Sequence, residues 1–278
     1  VIRDFRITVL VDDHPDSPGL QPEHGLSLWI EADGRRILFD TGQSDLYVNN
    51  ARSLGIDPTD ANALVISHGH YDHTGGVATG LKPQPSPTVY CHPGVFTPRY
   101  SRQSDGTMKP VGMAQSSSDA LHRIIDNIRW VSAPTALSND VGITGPIPRT
   151  HNSEGTGGSF FLDPEGKRPD PIDDDMAMWF RTPEGICVVT GCCHAGLVNT
   201  LRYIQTLVPG EHIYSVIGGL HLLHATTDRI EQIRSFLESL SVRRVVPIHC
   251  SGEAAVRVLG DRFSTGGIGN HREHRGNR

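Results

Sequence analysis

Residues 67–73 read Ser-His-Gly-His-Tyr-Asp-His directly behind a short apolar run over 63–66, and no other stretch constrains the fold as tightly. His68, His70, Asp72 and His73 crowd into six positions at what reads as the carboxyl end of a buried strand. Neutral imidazoles and a carboxylate at that density suit zinc, iron or manganese. A His-x-His pair on extended backbone sends both rings to one side, and His70 with His73, or Asp72 with His73, can then reach a second ion. Gly69 gives the backbone freedom to turn sharply. The competing reading is a polar surface loop whose histidines serve turns, and ligand-type residues this dense behind an apolar strand argue against it.

The rest of the chain supplies a frame for that segment. Alternation and turn residues predict strands over 6–11, 25–31 and 36–40, with Asp33-Gly34 closing a tight antiparallel hairpin between the second and third. A helix over 44–54 is expected, with Ser44 as its cap and Gly55 at its end. The second half repeats the rhythm: strands over 177–181, 186–190, 212–217 and 244–248, and helices over 197–207, 228–240 and 253–259. Two β-rich halves, each followed by helices, predict a sheet-on-sheet core with helices outside. The middle is rich in Pro, Gly, Ser and Asp, and 99–118 and 152–175 read as long loops. The expectation is one domain over 1–263 carrying a loop-rich, lid-like insertion at about 82–175, then a frayed polar tail over 264–278 that contains His271 and His274.

Composition narrows the partners. A net charge of −6 offers no basic field for nucleic acid phosphates or an anionic membrane, and no apolar run is long enough to span a bilayer. The start of the chain lacks the charged-then-apolar plan of a secretory signal, so a soluble, cytoplasmic protein is expected. The odd set Cys91, Cys187, Cys192, Cys193 and Cys250 reads as reduced thiols. A small-molecule substrate is the expected partner.

His68-x-His70-x-Asp72-His73, behind a strand and preceded by Phe39-Asp40-Thr41-Gly42, resembles the metal-binding signature of the metallo-β-lactamase superfamily. Within that superfamily, the segments Glu23-His24-Gly25-Leu26-Ser27, Thr144-Gly145-Pro146-Ile147-Pro148-Arg149, Gly191-Cys192-Cys193-His194-Ala195-Gly196, Gly218-Gly219-Leu220-His221-Leu222 and Pro247-Ile248-His249-Cys250 are similar to one subgroup. It is labelled dihydropterin-methyl-ribofuranosylaminobenzene-phosphate synthase-like. The resemblance implies an α/β (α+β) chain folded as a four-layer αββα sandwich, with metal held where the loops of the two sheets meet. It implies His68, His70 and His194 as ligands of a first ion, and Asp72, His73 and His249 as ligands of a second. Zinc is the expected cation, as one or two ions, with iron or manganese as alternatives.

One feature departs from the family pattern. The superfamily's hydrolases carry a metal-bridging aspartate after a strand-terminal glycine, whereas here Gly191 is followed by Cys192. Either Cys192 is a thiolate ligand, or a carboxylate from Asp173-Asp174-Asp175, with Asp174 the named candidate, enters the site, or there is no bridge. Among weaker candidates, His221 follows Gly218-Gly219 at a strand end and can donate a proton to a leaving group or bind substrate; a satisfied core histidine is the alternative. Arg149 can hold a phosphate or carboxylate by its planar fork, against an ordinary surface role. Cys250 reads as packing, Asp12 and Asp13 as turn formers, and His24 as facing the metal loop or simply placed in core or surface.

The function expected from these residues is a metal-dependent hydrolase, with a metal-activated water oriented by Asp72 attacking an ester, lactone or phosphoester-type small molecule. Two other readings stay open: a mononuclear-iron oxidoreductase of the same fold, and a non-catalytic, metal-dependent ligand binder.

Overall fold

The expected hairpin opens the chain. β1 (Phe5–Val11), β2 (Ser27–Ala32) and β3 (Arg35–Phe39) run antiparallel in turn, and the β2–β3 turn places Asp33 at φ 47° and Gly34 at φ 81°. Both left-handed angles match the hairpin turn that Asp-Gly favours. The computed structural model describes residues 1–15, 19–81, 86–151 and 154–260. The expected tail over 264–278, with His271 and His274, lies outside the described residues, as do Asn152 and Ser153.

After β3 come α1 (Leu46–Ser53) and β4 (Ala63–Val65), then the short helical turns α2 (Tyr71–Thr74) and α3 (Val77–Gly80). β5 (Thr88–Cys91), β6 (Tyr100–Arg102), β7 (Met108–Pro110), α4 (Gln115–Arg123) and β8 (Ile128–Trp130) follow. Next are β9 (Thr135–Ser138), β10 (Val141–Ile143), β11 (Phe160–Phe161), β12 (Ala177–Thr182), β13 (Gly185–Thr190) and α5 (Leu197–Leu207). β14 (Ile213–Gly218), α6 (Thr227–Ser239), β15 (Arg244–Pro247) and α7 (Glu253–Ala255) end the described chain.

Two six-stranded sheets result, in the orders β1-β2-β3-β4-β5-β8 and β15-β14-β13-β12-β10-β9. Strand alternation sorts the side chains into layers. Leu28, Ile30, Ile37 and Phe39 of the first sheet meet Met178, Phe180, Cys187 and Val189 of the second in one buried cluster. Trp29 and Leu38, on the opposite face, pack on Tyr47, Ala51 and Leu121 of α1 and α4. On the far side, Ile186, Val188 and Val216 pack on Leu201 and Ile204 of α5 and Ile230 and Ile233 of α6. The layers are therefore α, β, β, α, as the resemblance implied. No helix among the described residues is long and apolar enough to cross a membrane.

Some local expectations change. The loop-rich middle of the chain also carries strands: β5 and β8 extend the first sheet, β9 and β10 the second, and β6, β7 and β11 form a small third sheet. Runs of three or four residues at sheet edges are too short to register as periodic patterns. α1 begins after Ser44, whose hydroxyl accepts the Leu46 N–H at 3.1 Å before the helix proper. The last helix is α7 for three residues and then widens to a π-helical turn over Val256–Gly260.

β1 and β3 are both antiparallel to β2, β3 and β4 are parallel, and β13, β14 and β15 are parallel to one another. The carboxyl ends of β1, β3 and β4 therefore share one edge of the first sheet, and those of β13, β14 and β15 share one edge of the second. The chemistry-bearing residues follow these ends.

Candidate metal centre

Five side chains follow two parallel strands of the first sheet. β3 ends at Phe39 and delivers Asp40; β4 ends at Val65 and delivers His68, His70 and, through α2, Asp72 and His73. Gly69 is needed here for close approach, not for a turn. A Cβ on it would lie 2.4 Å from the Val95 carbonyl oxygen, and its φ is not in the left-handed region. Its N–H donates to Asp174 Oδ2 at 2.8 Å, which pins the loop between the two histidines. The second sheet adds Cys192 and His194 after β13, His221 after β14 and His249 after β15. Asp40, Cys193, His221 and His249 all sit at positive φ, between 49° and 61°. Such strain gathers where surrounding structure fixes a side chain for a task.

The outer nitrogens of the rings are held by fixed acceptors. His73 Nδ1 lies 2.7 Å from Asp40 Oδ2, His249 Nδ1 2.6 Å from Asp13 Oδ1, and His194 Nδ1 2.7 Å from the Thr156 carbonyl oxygen. Ser67 Oγ donates to Asp40 Oδ2 at 2.7 Å and so presents a lone pair to His68 Nδ1 at 2.9 Å. Acceptors on the Nδ1 side place the proton there and leave each Nε2 lone pair facing inward, the arrangement that orients histidine ligands.

The inward atoms converge without partners of their own. Nε2 of His70, His194 and His249 is buried with no hydrogen bond. Donor atoms of Asp72, His73, Cys192 and His249 lie within 4.8 Å of one another, and so do those of His68, Cys192 and His194. His70 stands beside the His68–Cys192–His194 set, its Nδ1 3.0 Å from His68 Nε2. Two nitrogens each about 2.0–2.1 Å from a single zinc sit comfortably at such a separation. Cys192 belongs to both sets, with its Sγ 3.1 Å from His73 Nε2. Buried polar atoms left unpaired are costly, and a cation in each set satisfies them, so the residues fit the metal that the sequence implies.

Electrostatics agree with neutral imidazoles at His68, His70 and His194 and an ionised carboxylate at Asp72, whereas at His249 burial is outweighed by Cys250, Asp13 and Asp72, which raise it. Burial, reinforced by neighbouring histidines, holds His68 and His194 well below the ordinary histidine range, and burial pushes His70 down to about 3. Burial alone raises Asp72, but His73 and His249 outweigh it and hold the carboxyl well below its usual value. Burial also raises the Cys192 thiol well above its usual value. A coordinating cation reverses that preference by displacing the proton.

Several sequence expectations move. Asp174 is not in either donor set: Arg99 grips it through both guanidinium nitrogens, at 2.9 and 2.6 Å, and Arg99 Nε pairs with Asp170 at 2.8 Å. Arg149 is not free for an anion, because its guanidinium donates to the carbonyls of His194, Pro171 and Ile172. Asp12 and Asp13 are more than turn formers. Asp12 accepts the His249 N–H at 2.6 Å, and Asp13 receives both His249 and His24, the latter at 2.8 Å. His24 does face the metal loop, with Nε2 3.4 Å from Asp72 Oδ2. His221 stands against the His68–Cys192–His194 set, its ring 4.4 Å from that of His194.

As site residues Asp40, Phe160 and Glu154 escaped the sequence reading, and Asp13 was read there only as a turn former. The Phe160 ring covers His70 and His194 at 5.0 and 5.3 Å. Beyond His221 opens a cavity of about 260 Å³, lined by Leu197, Leu220, Leu222, Ile233 and an ion pair of Glu154 with Arg229. Phe39-Asp40-Thr41-Gly42 was the signal that bore on Asp40; nothing local marked the other three.

The Metallo-beta-lactamase superfamily matches residues 20–247 of the chain. Among curated proteins, the chain is 27% identical to the 7,8-dihydropterin-6-methyl-4-(beta-D-ribofuranosyl)-aminobenzene-5'-phosphate synthase of Methanocaldococcus jannaschii, covering 94% of this chain and 92% of that protein. It is 28% identical to the uncharacterized protein MJ0448 of the same organism, covering 85% and 87%. Among solved structures, Tm1679, a metal-dependent hydrolase of the beta-lactamase superfamily, aligns with a TM-score of 0.78 at 34% identity, covering 94% and 93%.

Proposed function

The chain belongs to the metallo-beta-lactamase superfamily, and from that membership we propose that it is a zinc-dependent hydrolase of small molecules carrying an ester, lactone or phosphoester bond. The observation that carries this reading is the gathering of buried donor atoms into two groups, Asp72, His73, Cys192 and His249 in one and His68, Cys192 and His194 in the other, the atoms of each within 4.8 Å of one another. In this reading His68, His70 and His194 hold one cation, and Asp72, His73 and His249 hold the second. Cys192, which belongs to both donor sets, would ligate as a thiolate, at the position after Gly191 where the family carries a carboxylate. Bound there, the cations supply Lewis acidity to a substrate oxygen and to water.

The chain's own residues do the rest. Asp72, ionised and buried, orients the attacking water, whose proton a bound cation would make labile near neutral pH and release to solvent. His221 stands between the histidine cluster and the cavity, where it donates to the leaving group. The cavity beyond it receives the body of a small substrate, and the Phe160 ring keeps bulk water from the first set of ligands. The similar Methanocaldococcus protein is named a synthase, which supports a second reading in which the same centre serves formation of that phosphate-bearing product.

Metal content of protein purified with and without air, followed by zinc reconstitution and a panel of esters, lactones, phosphomonoesters and phosphodiesters, tests the proposal. Zinc retention and hydrolysis are expected in the wild type, and both are lost when His68 and His70 are changed to alanine. Full metal content in that double variant overturns the ligand assignment. Iron as the dominant metal, with zinc restoring no hydrolysis, favours the oxidoreductase reading instead.

A further inference from the structure

Cys250 belongs to neither donor set above, yet its surroundings are not those of a packing residue. Its Sγ, the Sγ of Cys192 and a ring nitrogen of His221 lie within 4.8 Å of one another. Both thiols are buried and neither is in a disulfide. His221 Nδ1 is buried and has no hydrogen-bond partner. The three residues follow three adjacent parallel strands, β13, β14 and β15, with β14 in the middle. Gly219, behind the middle strand, leaves the space in which they meet. A Cβ there would lie 2.6 Å from Cys250 Sγ and 3.3 Å from Cys192 Cα.

We propose that Cys192, Cys250 and His221 form a third, sulfur-rich cation position that takes zinc or another thiophilic cation and shares the Cys192 sulfur with the sites described above. Zn–S distances of about 2.3 Å put two sulfurs on one ion roughly 3.8–4.0 Å apart at tetrahedral to trigonal angles, inside the 4.8 Å within which these donor atoms all lie. The backbone N–H of His221 donates to Cys250 Sγ at 3.3 Å, a bond that favours the thiolate over the thiol. Buried thiolates need a compensating charge, and two thiolates with an imidazole form the soft donor set that selects zinc or copper(I) over magnesium or calcium. Coordination through Nδ1 fixes the His221 tautomer and leaves its Nε2–H as a donor. The third position thereby sets the form in which His221 serves the proposed hydrolysis.

The inference rests on the reading of Cys192 as a thiolate ligand, and the test separates the two. Metal-free protein is titrated with cobalt(II), which reports thiolate ligation by a charge-transfer band, and zinc is counted at saturation. Three equivalents of zinc are expected in the wild type. Cys250→Ser should lose one equivalent and about half of the cobalt–thiolate absorbance, while Cys192→Ser lowers both further. A Cys250→Ser protein with undiminished zinc and band, beside a Cys192→Ser protein that loses the band, refutes the third position and leaves the Cys192 reading intact. No change in either variant refutes both. Wild-type protein that saturates at two equivalents refutes the third position without any variant.

Discussion

Asp40→Asn tests whether the carboxylate behind the centre decides which nitrogen each ligand presents. Asp40 Oδ1 accepts the Ser67 N–H at 2.7 Å; Oδ2 accepts both Ser67 Oγ and His73 Nδ1, each at 2.7 Å. With asparagine, Oδ1 keeps the Ser67 N–H, and an NH2 group faces two donors. His73 must turn its lone pair to that amide and carry its proton on Nε2, where it meets the second donor set. Ser67 Oγ must accept instead of donate, so its own proton points to His68 Nδ1 and drives the His68 proton to Nε2 as well. One amide thus disables a ligand in each set. Loss of such an orienting partner costs about 10–100-fold in metal affinity, or about 1.4–2.7 kcal/mol per ligand. Asn tolerates the φ of 57° at this position, so the backbone has no reason to move. Zinc affinity is read by competition with a chromophoric chelator, and circular dichroism reports that the fold is kept. A folded Asp40→Asn protein that binds zinc with wild-type affinity at every site would refute the tautomer argument.

Arg99→Met removes the cation shared by the buried carboxylates of Asp170 and Asp174, and stranding them should cost about 3–5 kcal/mol of unfolding free energy in urea; a loss below 1 kcal/mol would show that the pair is not a keystone of the His68–His70 loop. The metal-free protein should lose stability as the pH falls from about 6.5 toward 3, because the unfolded chain takes up protons there that buried His68, His70 and His194 refuse. Each such histidine contributes a slope of about 1.4 kcal/mol per pH unit in that window. His249 is raised instead: burial opposes protonation, but Cys250, Asp13 and Asp72 outweigh it. Its contribution is full below about 6.5 and is lost above that as pH rises, so it does not mask the acid limb. Urea denaturation at pH 7, 6 and 5 checks this, and a flat profile would contradict it.

Residues 67–73 announced the chemistry because ligand-type side chains were adjacent in sequence, and the strand behind them showed that they were delivered from a buried layer. The hairpin at Asp33-Gly34 and the helix over 197–207 were legible for the same local reason: turn conformation and helical periodicity are written within a few residues. The short strands β5, β8, β9 and β10 were not legible, since three or four residues carry no period and gain their pairing from a neighbour already in place. Arg149 and Asp174, both left open by the sequence, are engaged in one way. Each is a charged group that looks available in sequence, and each is consumed by a backbone or side-chain partner brought from elsewhere.

The sequence by itself determined the four-layer class and the kind of atom that gathers at the strand ends. Only the tertiary structure decided how those atoms are aimed. Asp13 and His249 are 236 residues apart and Gly69 and Asp174 105, yet these contacts orient the centre. Likewise Cys192 acquires its shared place among the donor sets only when two sheets bring their carboxyl edges together. The physical reason is range. Periodicity and turn preference act between neighbours along the chain, whereas the proton position on an imidazole is set by whichever acceptor the packed sheets place behind it.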